Sequence, residues 1–155
     1  DQVGDDLGTR MAQVFEALFA RGYKHALIVG TDVPSLPLDQ YKQALDLLGS
    51  HDLVLGPALD GGYYLIGLNR PAPDLFTGIP WSTDQVLKLT QEKASALGLK
   101  TGLLAPWRDV DTIDDLQALV EAAALDAQKP KRDQSFSGRT AGALQLVAKR
   151  LRSRA

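Results

Sequence analysis

Two acidic loops carry the chemistry that this sequence could perform. The first is Gly30-Thr31-Asp32-Val33-Pro34, where the apolar run Ala26 to Val29 stops abruptly. The second, Asp109-Val110-Asp111-Thr112, follows another apolar stretch far along the chain. Carboxylates delivered by two strand ends can hold a hard divalent cation, Mg²⁺ or Mn²⁺, against a phosphate. Such ions take oxygen ligands, commonly one or two carboxylates beside waters and substrate phosphates. In open α/β sheets, ligands bind in the loops beyond the strands' carboxyl ends. Each loop also has a plainer reading. Asp32 can cap a turn before the next helix. Asp109 and Asp111 can belong to a helix start, where Thr112 and Asp115 form a capping pair and acidic charge suits the helix dipole. Either Asp109 or Asp111 could be the second ligand. Asp111 is preferred because it directly precedes the helix, while Asp114 and Asp115 read as first-turn dipole partners.

Three further segments bear on a site. Asp60-Gly61-Gly62 is first of all a hairpin signal, since glycine accepts positive φ, yet its bare backbone would also admit a sugar or phosphate closely. Tyr63 and Tyr64 alternate faces, which predicts one in the core and one towards a cleft. Trp81 can stack on a sugar or base, or pack as a hydrophobic staple. Arg108 could meet a phosphate. The stretch Gly4-Asp5-Asp6-Leu7-Gly8-Thr9-Arg10 opens a helix whose free amides suit an anion. There is no GxGxxG and no GKS or GKT, so neither dinucleotide nor P-loop binding has a fingerprint.

Composition narrows the classes. The 155 residues suffice for one domain with a real core. Cysteine is absent, which excludes disulfides, thiolate catalysis and cysteine zinc sites, and fits a cytoplasmic setting. His25 and His51 are the only histidines and read as strand-end and turn residues, which leaves a Ser-His-Asp machine without support. No stretch would span a membrane. Residues 128–155 carry eight basic side chains against Asp133 alone, a net +7, leaving −9 on residues 1–127. A basic tail is compatible with an anionic partner. With one aromatic, Phe136, and no binding motif, it reads instead as a solvated or self-docking tail, and nucleic acid is disfavoured.

The elements that must position these residues follow from periodicity. Leu7, Met11, Val14, Phe15, Leu18 and Phe19 recur at helical spacing, predicting a helix over 6–20. Further helices are expected at 38–48, at 82–97 with Ser82 and Gln85 as a capping box, and at 113–127. Strands are expected at 24–30, 52–56, 63–68 and 99–104. This alternation predicts α/β architecture with a largely parallel sheet, into which the segment around Asp60-Gly61-Gly62 could insert an antiparallel element. Residues 1–127 are read as the body, and 128–155 as a linker with a weak helix over 143–151.

Taken in order, Gly4 to Met11, Gly30 to Pro34, Leu55 to Leu68, Trp81-Ser82-Thr83 and Asp109 to Thr112 resemble a bacterial glycosyltransferase-like family, the radical-SAM and selenodomain-associated type. That family is similar to phospholactate and molybdenum-cofactor guanylyltransferases. The resemblance spans about residues 2 to 120. It implies a Rossmann-like three-layer sandwich of the type-A glycosyltransferase, or nucleotide-diphospho-sugar transferase, fold. It implies Asp32 and Asp111 as catalytic metal ligands for Mg²⁺ or Mn²⁺. Thr31, Asp60, Gly61, Gly62, Arg10 and Trp81 are then the substrate-binding candidates. Members of the family open with a strand and a nucleotide-cradling loop rich in Pro, Gly, Lys and Arg. No counterpart stands here, so an N-terminally truncated version of the fold is expected, with an unpaired sheet edge and a tendency to form homo-oligomers.

The function expected from this reading is metal-dependent transfer from a nucleotide or nucleotide-sugar donor to a small-molecule acceptor, glycosyltransferase-like. Nucleotidyl transfer of the guanylyltransferase kind, and a non-catalytic binding module, are the alternatives.

Overall fold

A computed structural model describes residues 6–152. Gly4 and Asp5, which belong to the proposed anion-binding helix start, lie outside the described residues. The chain divides into two compact units: residues up to Gly30 with Leu38–Trp107, and Thr31–Pro37 with Arg108 onward.

The first unit is a four-stranded sheet with helices on both faces. Its elements are α1 (Leu7–Ala20), β1 (Ala26–Val29), α2 (Leu38–Leu48), β2 (Leu53–Pro57), β3 (Tyr63–Leu68), α3 (Val86–Ala96) and β4 (Thr101–Leu103), with a 3-10 turn at Pro73–Phe76. The strand order is β1-β3-β2-β4. β3 runs antiparallel to both β1 and β2, while β2 and β4 are parallel. The expectation of a largely parallel sheet therefore needs correcting at the level of pairing. Three strands share one direction, but β3 lies between two of them, so only one of the three ladders is parallel. The short turn at Asp60-Gly61-Gly62 is the cause, because it sends β3 straight back along β2.

Alternation along the strands separates the faces. Leu53, Leu55, Ile66 and Leu68 face α1, α3 and the 3-10 turn, and close around Met11, Phe15, Phe76 and Ala94. Phe15 is 1% exposed and stacks on Phe76 at 5.9 Å between ring centroids. Burial of such a side chain contributes about 2–3 kcal/mol. On the opposite face, a Cβ at Gly67 would touch Leu27 and, at 3.1 Å, Leu48 of α2, which shows how closely α2 lies on the sheet.

Helix ends follow local chemistry in most places. Asp6 caps α1 by accepting the Thr9 amide at 2.7 Å. Leu7 and Val14 of α1, counted with its apolar stripe, are 50% and 39% exposed. The capping box expected at Ser82 and Gln85 does not form. α3 begins at Val86, Gln85 makes no side-chain cap, and Ser82 adopts a left-handed φ of 65°. The first turn of α3 is capped from elsewhere, since the Leu87 amide donates to the Gly61 carbonyl at 2.9 Å.

The second unit holds α4 (Ile113–Asp126) and α5 (Gly138–Arg152), with a 3-10 turn at Lys131–Asp133. Leu119, Ala123 and Leu144 form its buried centre, with Val110, Leu116, Val120 and Phe136 around them. α5 starts earlier than the weak helix expected at 143–151. Ser137 starts it, accepting the Thr140 amide on its hydroxyl at 3.1 Å and the Ala141 amide on its carbonyl at 2.9 Å. Asp126 ties the connection down, accepting the amides of Ser135 at 2.8 Å and Phe136 at 3.1 Å and the Lys129 ammonium at 3.0 Å. Those bonds hold its carboxyl down at about 2. Among the described residues, no helix is long and apolar enough to cross a membrane.

Candidate functional site

In the second unit the two acidic loops meet through their main chains. The Asp32 carbonyl accepts the Val110 amide at 3.0 Å. Val33 is 5% exposed, and its carbonyl accepts the Leu36 amide at 3.0 Å, so the Asp32 loop is anchored by the residue after the aspartate. Thr31 and Asp32 are exposed. In the other loop, Asp109 and Asp111 each bring a carboxylate oxygen within 4.8 Å of the other's. Oxygens held about 2.1 Å from one cation lie at most about 4.2 Å apart, so the two side chains need close by only a few tenths of an ångström at the outer limit of this spacing to share an ion.

The helix-start reading of Asp115 holds. Thr112 and Asp115 form a full capping box: the Asp115 amide donates to the Thr112 hydroxyl at 3.2 Å, and the Thr112 amide donates back to Asp115 Oδ2 at 3.0 Å. Arg108 donates to Asp115 Oδ1 at 2.7 Å. The Thr112 hydroxyl, the Arg108 guanidinium and the Thr112 amide together hold the Asp115 carboxyl at about 2. Arg108, considered above for a phosphate, is thus engaged with Asp115. The capping box consumes Asp115 and leaves Asp109 and Asp111 outside it.

In the first unit, the turn after β2 is tightly constrained. Asp60 Oδ1 accepts the Gly62 amide at 2.9 Å, and the Ala58 amide donates to the Gly62 carbonyl at 3.1 Å. Gly61 has φ of 93°, and a Cβ there would run into the Asp84 carbonyl. Glycine is required at this position on both counts. Trp81 packs against the core, and a Cβ at Gly8 would lie 2.6 Å from its ring. Gly8 therefore lets α1 approach the indole. Arg10 lies on the exposed side of α1.

Both tyrosines are turned inward, and a β-bulge explains how. Gly56 pairs with Leu65 but Pro57 pairs with Tyr63, so Tyr64 is the extra residue. A bulge re-aims side chains locally. Tyr63 packs with the α1–α3 core, where burial raises its phenol well above the ordinary range. Tyr64 is 3% exposed and donates to the Ala105 carbonyl at 3.0 Å, with the Gln40 amide oxygen at 3.3 Å. Burial pushes its phenol up to about 12. Its ring occupies the space a side chain at Gly56 would need. The expectation of one cleft-facing tyrosine is therefore not met.

Ser82, expected as a helix cap, is left-handed instead, and the main chain of Asp84, two residues on, fills the space beside Gly61 with no signal of its own in the sequence. Thr83, not Ser82, makes the local bonds, donating to the Pro80 carbonyl at 2.8 Å.

Comparison with known proteins bears on this geometry. Residues 1–83 match the model of a family described as "Uncharacterized protein conserved in bacteria (DUF2064)". A crystal structure from Desulfovibrio desulfuricans G20, provisionally assigned as a nucleotide-diphospho-sugar transferase, is similar with a TM-score of 0.82 and 35% identity. The similarity covers 97% of this chain and 62% of that one, so this chain spans well under the full length of its solved neighbour. Among curated proteins, no match was found. The α/β fold of the nucleotide-diphospho-sugar transferase type is thereby established for the chain.

Proposed function

The chain belongs to the bacterial DUF2064 family, and on that footing we propose that it performs metal-dependent transfer from a nucleotide-activated donor, glycosyltransferase-like in chemistry. The observation that carries this reading is the 35% identity to the D. desulfuricans protein over nearly the whole chain. The joined acidic loops supply residues suited to the task. Asp111, with Asp109 close by and Asp32 on the adjoining loop, would hold Mg²⁺ or Mn²⁺. A bound cation would neutralise the donor's diphosphate and stabilise it as a leaving group.

The remaining roles rest on this chain's own groups. Asp60 commits one oxygen to the Gly62 amide, which orients its carboxylate to accept a hydrogen bond from a sugar or acceptor hydroxyl. Gly61 and Gly62 keep the approach to that carboxylate bare. Arg10 and Thr31 are assigned to donor contacts, and the part of Trp81 outside the core to stacking. Catalysis of this kind is chiefly positioning and electrostatic stabilisation. The cysteine-free composition is compatible with a cytoplasmic setting.

A thermal-shift panel tests the proposal. Nucleotides and nucleotide-sugars are added with and without Mn²⁺. A ligand that binds only the folded state stabilises it by about 2.7 kcal/mol at a hundredfold excess over its Kd. The expected result is stabilisation by a nucleoside diphosphate or its sugar ester that requires metal. No response to any member of the panel overturns the reading. With a turnover assay, a nucleoside diphosphate product indicates glycosyl transfer and pyrophosphate indicates nucleotidyl transfer.

A further inference from the structure

The second unit carries a feature that the transferase reading does not use. α4 and α5 enclose a groove of about 790 Å³, with a floor and walls that include Val120, Ala124, Ala141, Leu144 and Ala148. A pair of helices buries only one stripe of each against the other, and the buried centre here is just Leu119, Ala123 and Leu144. The groove runs along the edge of that contact, sharing Ala123 and Leu144 with it and adding Val120, Ala124, Ala141 and Ala148. Its alanines permit a close approach by another helix.

Charge says what fits. Of the acidic residues on α4, Asp115 and Asp126 are already engaged within the unit with Arg108 and with Lys129 and the Ser135 and Phe136 amides, whereas α5 carries only basic charges, among them Arg139 and Lys149. On the groove itself, Glu121 lines the α4 side and Lys149 the α5 side. Neither forms an ion pair among the described residues.

We propose that this groove is a homodimer interface, occupied by the same groove of a second copy in a four-helix arrangement. A two-fold axis through the groove sets α4 of one copy against α5 of the other. Every contact then occurs twice. Glu121 meets the second copy's Lys149, and the reciprocal pair forms by symmetry. The alternative with like helices together would set Glu121 against Glu121 and Lys149 against Lys149 and is opposed by like charge.

Sedimentation equilibrium of the full chain, from micromolar to sub-millimolar concentration, tests this. The wild type is expected to approach twice 16.7 kDa. Glu121→Lys and Lys149→Glu are each expected to weaken dimerisation about tenfold or more. The double variant restores it, because the swapped charges again face opposite partners. Circular dichroism checks that each variant keeps its helix content, as expected for changes on exposed side chains. A wild type that stays monomeric overturns the proposal. So does a dimer unaffected by either single change, which would use another surface, or a double variant no better than the singles.

Discussion

The main-chain carbonyl of Asp32 accepts the amide of Val110 at 3.0 Å, joining two acidic loops that lie far apart in sequence. The bond fixes the backbone of both loops without consuming a carboxylate. It makes the loops one structural feature, so a change in either is expected to be felt by the other.

Metal binding reads this directly. Calorimetry with Mn²⁺ is expected to show affinity weakened about 10- to 100-fold by Asp111→Ala and by Asp32→Ala. Equal binding by wild type and Asp32→Ala removes Asp32 from the site. Loss on Asp109→Ala but not on Asp111→Ala transfers the ligand role to Asp109.

Gly61→Ala is expected to be costly. The residue combines positive φ with a Cβ position already filled by the Asp84 main chain. The two penalties together come to about 2–4 kcal/mol. Urea unfolding should show a lower midpoint at unchanged slope. A loss too small to measure would mean that the turn relaxes freely and does not brace α3.

Ser82→Gly should act in the opposite direction. Left-handed geometry costs a non-glycine residue about 1–2 kcal/mol. Glycine adds about 0.5–1 kcal/mol of unfolded-state entropy. The first effect is larger, so a net gain of about 0.5–1 kcal/mol is expected. A net loss would show that the serine side chain stabilises the segment by contacts that outweigh its strain.

Tyr64→Phe leaves the ring packed on Gly56 but removes the donor to the Ala105 carbonyl. A stability loss of about 1–2 kcal/mol is expected from the lost bond. Equality with wild type in denaturant unfolding would show that water replaces the hydroxyl at no cost.

Acid should loosen the α4–α5 unit. The Asp126 carboxyl is held at about 2, below its ordinary 3.8. A depressed folded pKa means that its stabilisation is complete above about pH 4 and fades as pH falls towards 2. Asp115, held at about 2 by Thr112 and Arg108, titrates over the same window with the same sign. Helix content followed by circular dichroism through this window should fall in the wild type. Asp126→Asn should start less stable and show a shallower pH dependence. An unchanged pH profile in Asp126→Asn contradicts the assignment.

Much of the fold was legible because it rests on local chemistry. α2 and β3 have the bounds that their hydrophobic spacing predicts, Leu38–Leu48 and Tyr63–Leu68. The Thr112–Asp115 capping box also forms as expected, since both partners lie within one turn and need nothing from the rest of the chain. Ser82 and Gln85 carry an equally good local signal, yet the signal fails. The Gly61 carbonyl takes the Leu87 amide, and the segment before α3 bends to accommodate the turn.

Residue types and their order along the chain name Asp32, Asp109 and Asp111, carboxylates after apolar runs, and Asp60, in a hairpin turn, as candidates for chemistry without knowledge of the fold. The antiparallel turn into β3 was already suggested by Asp60-Gly61-Gly62, but three features could be decided only by packing: the place of β3 between β1 and β2, the inward turn of both tyrosines through a one-residue bulge, and the bond from Val110 to Asp32. Each depends on which groups distant in sequence come together, and spacing along the chain does not encode that.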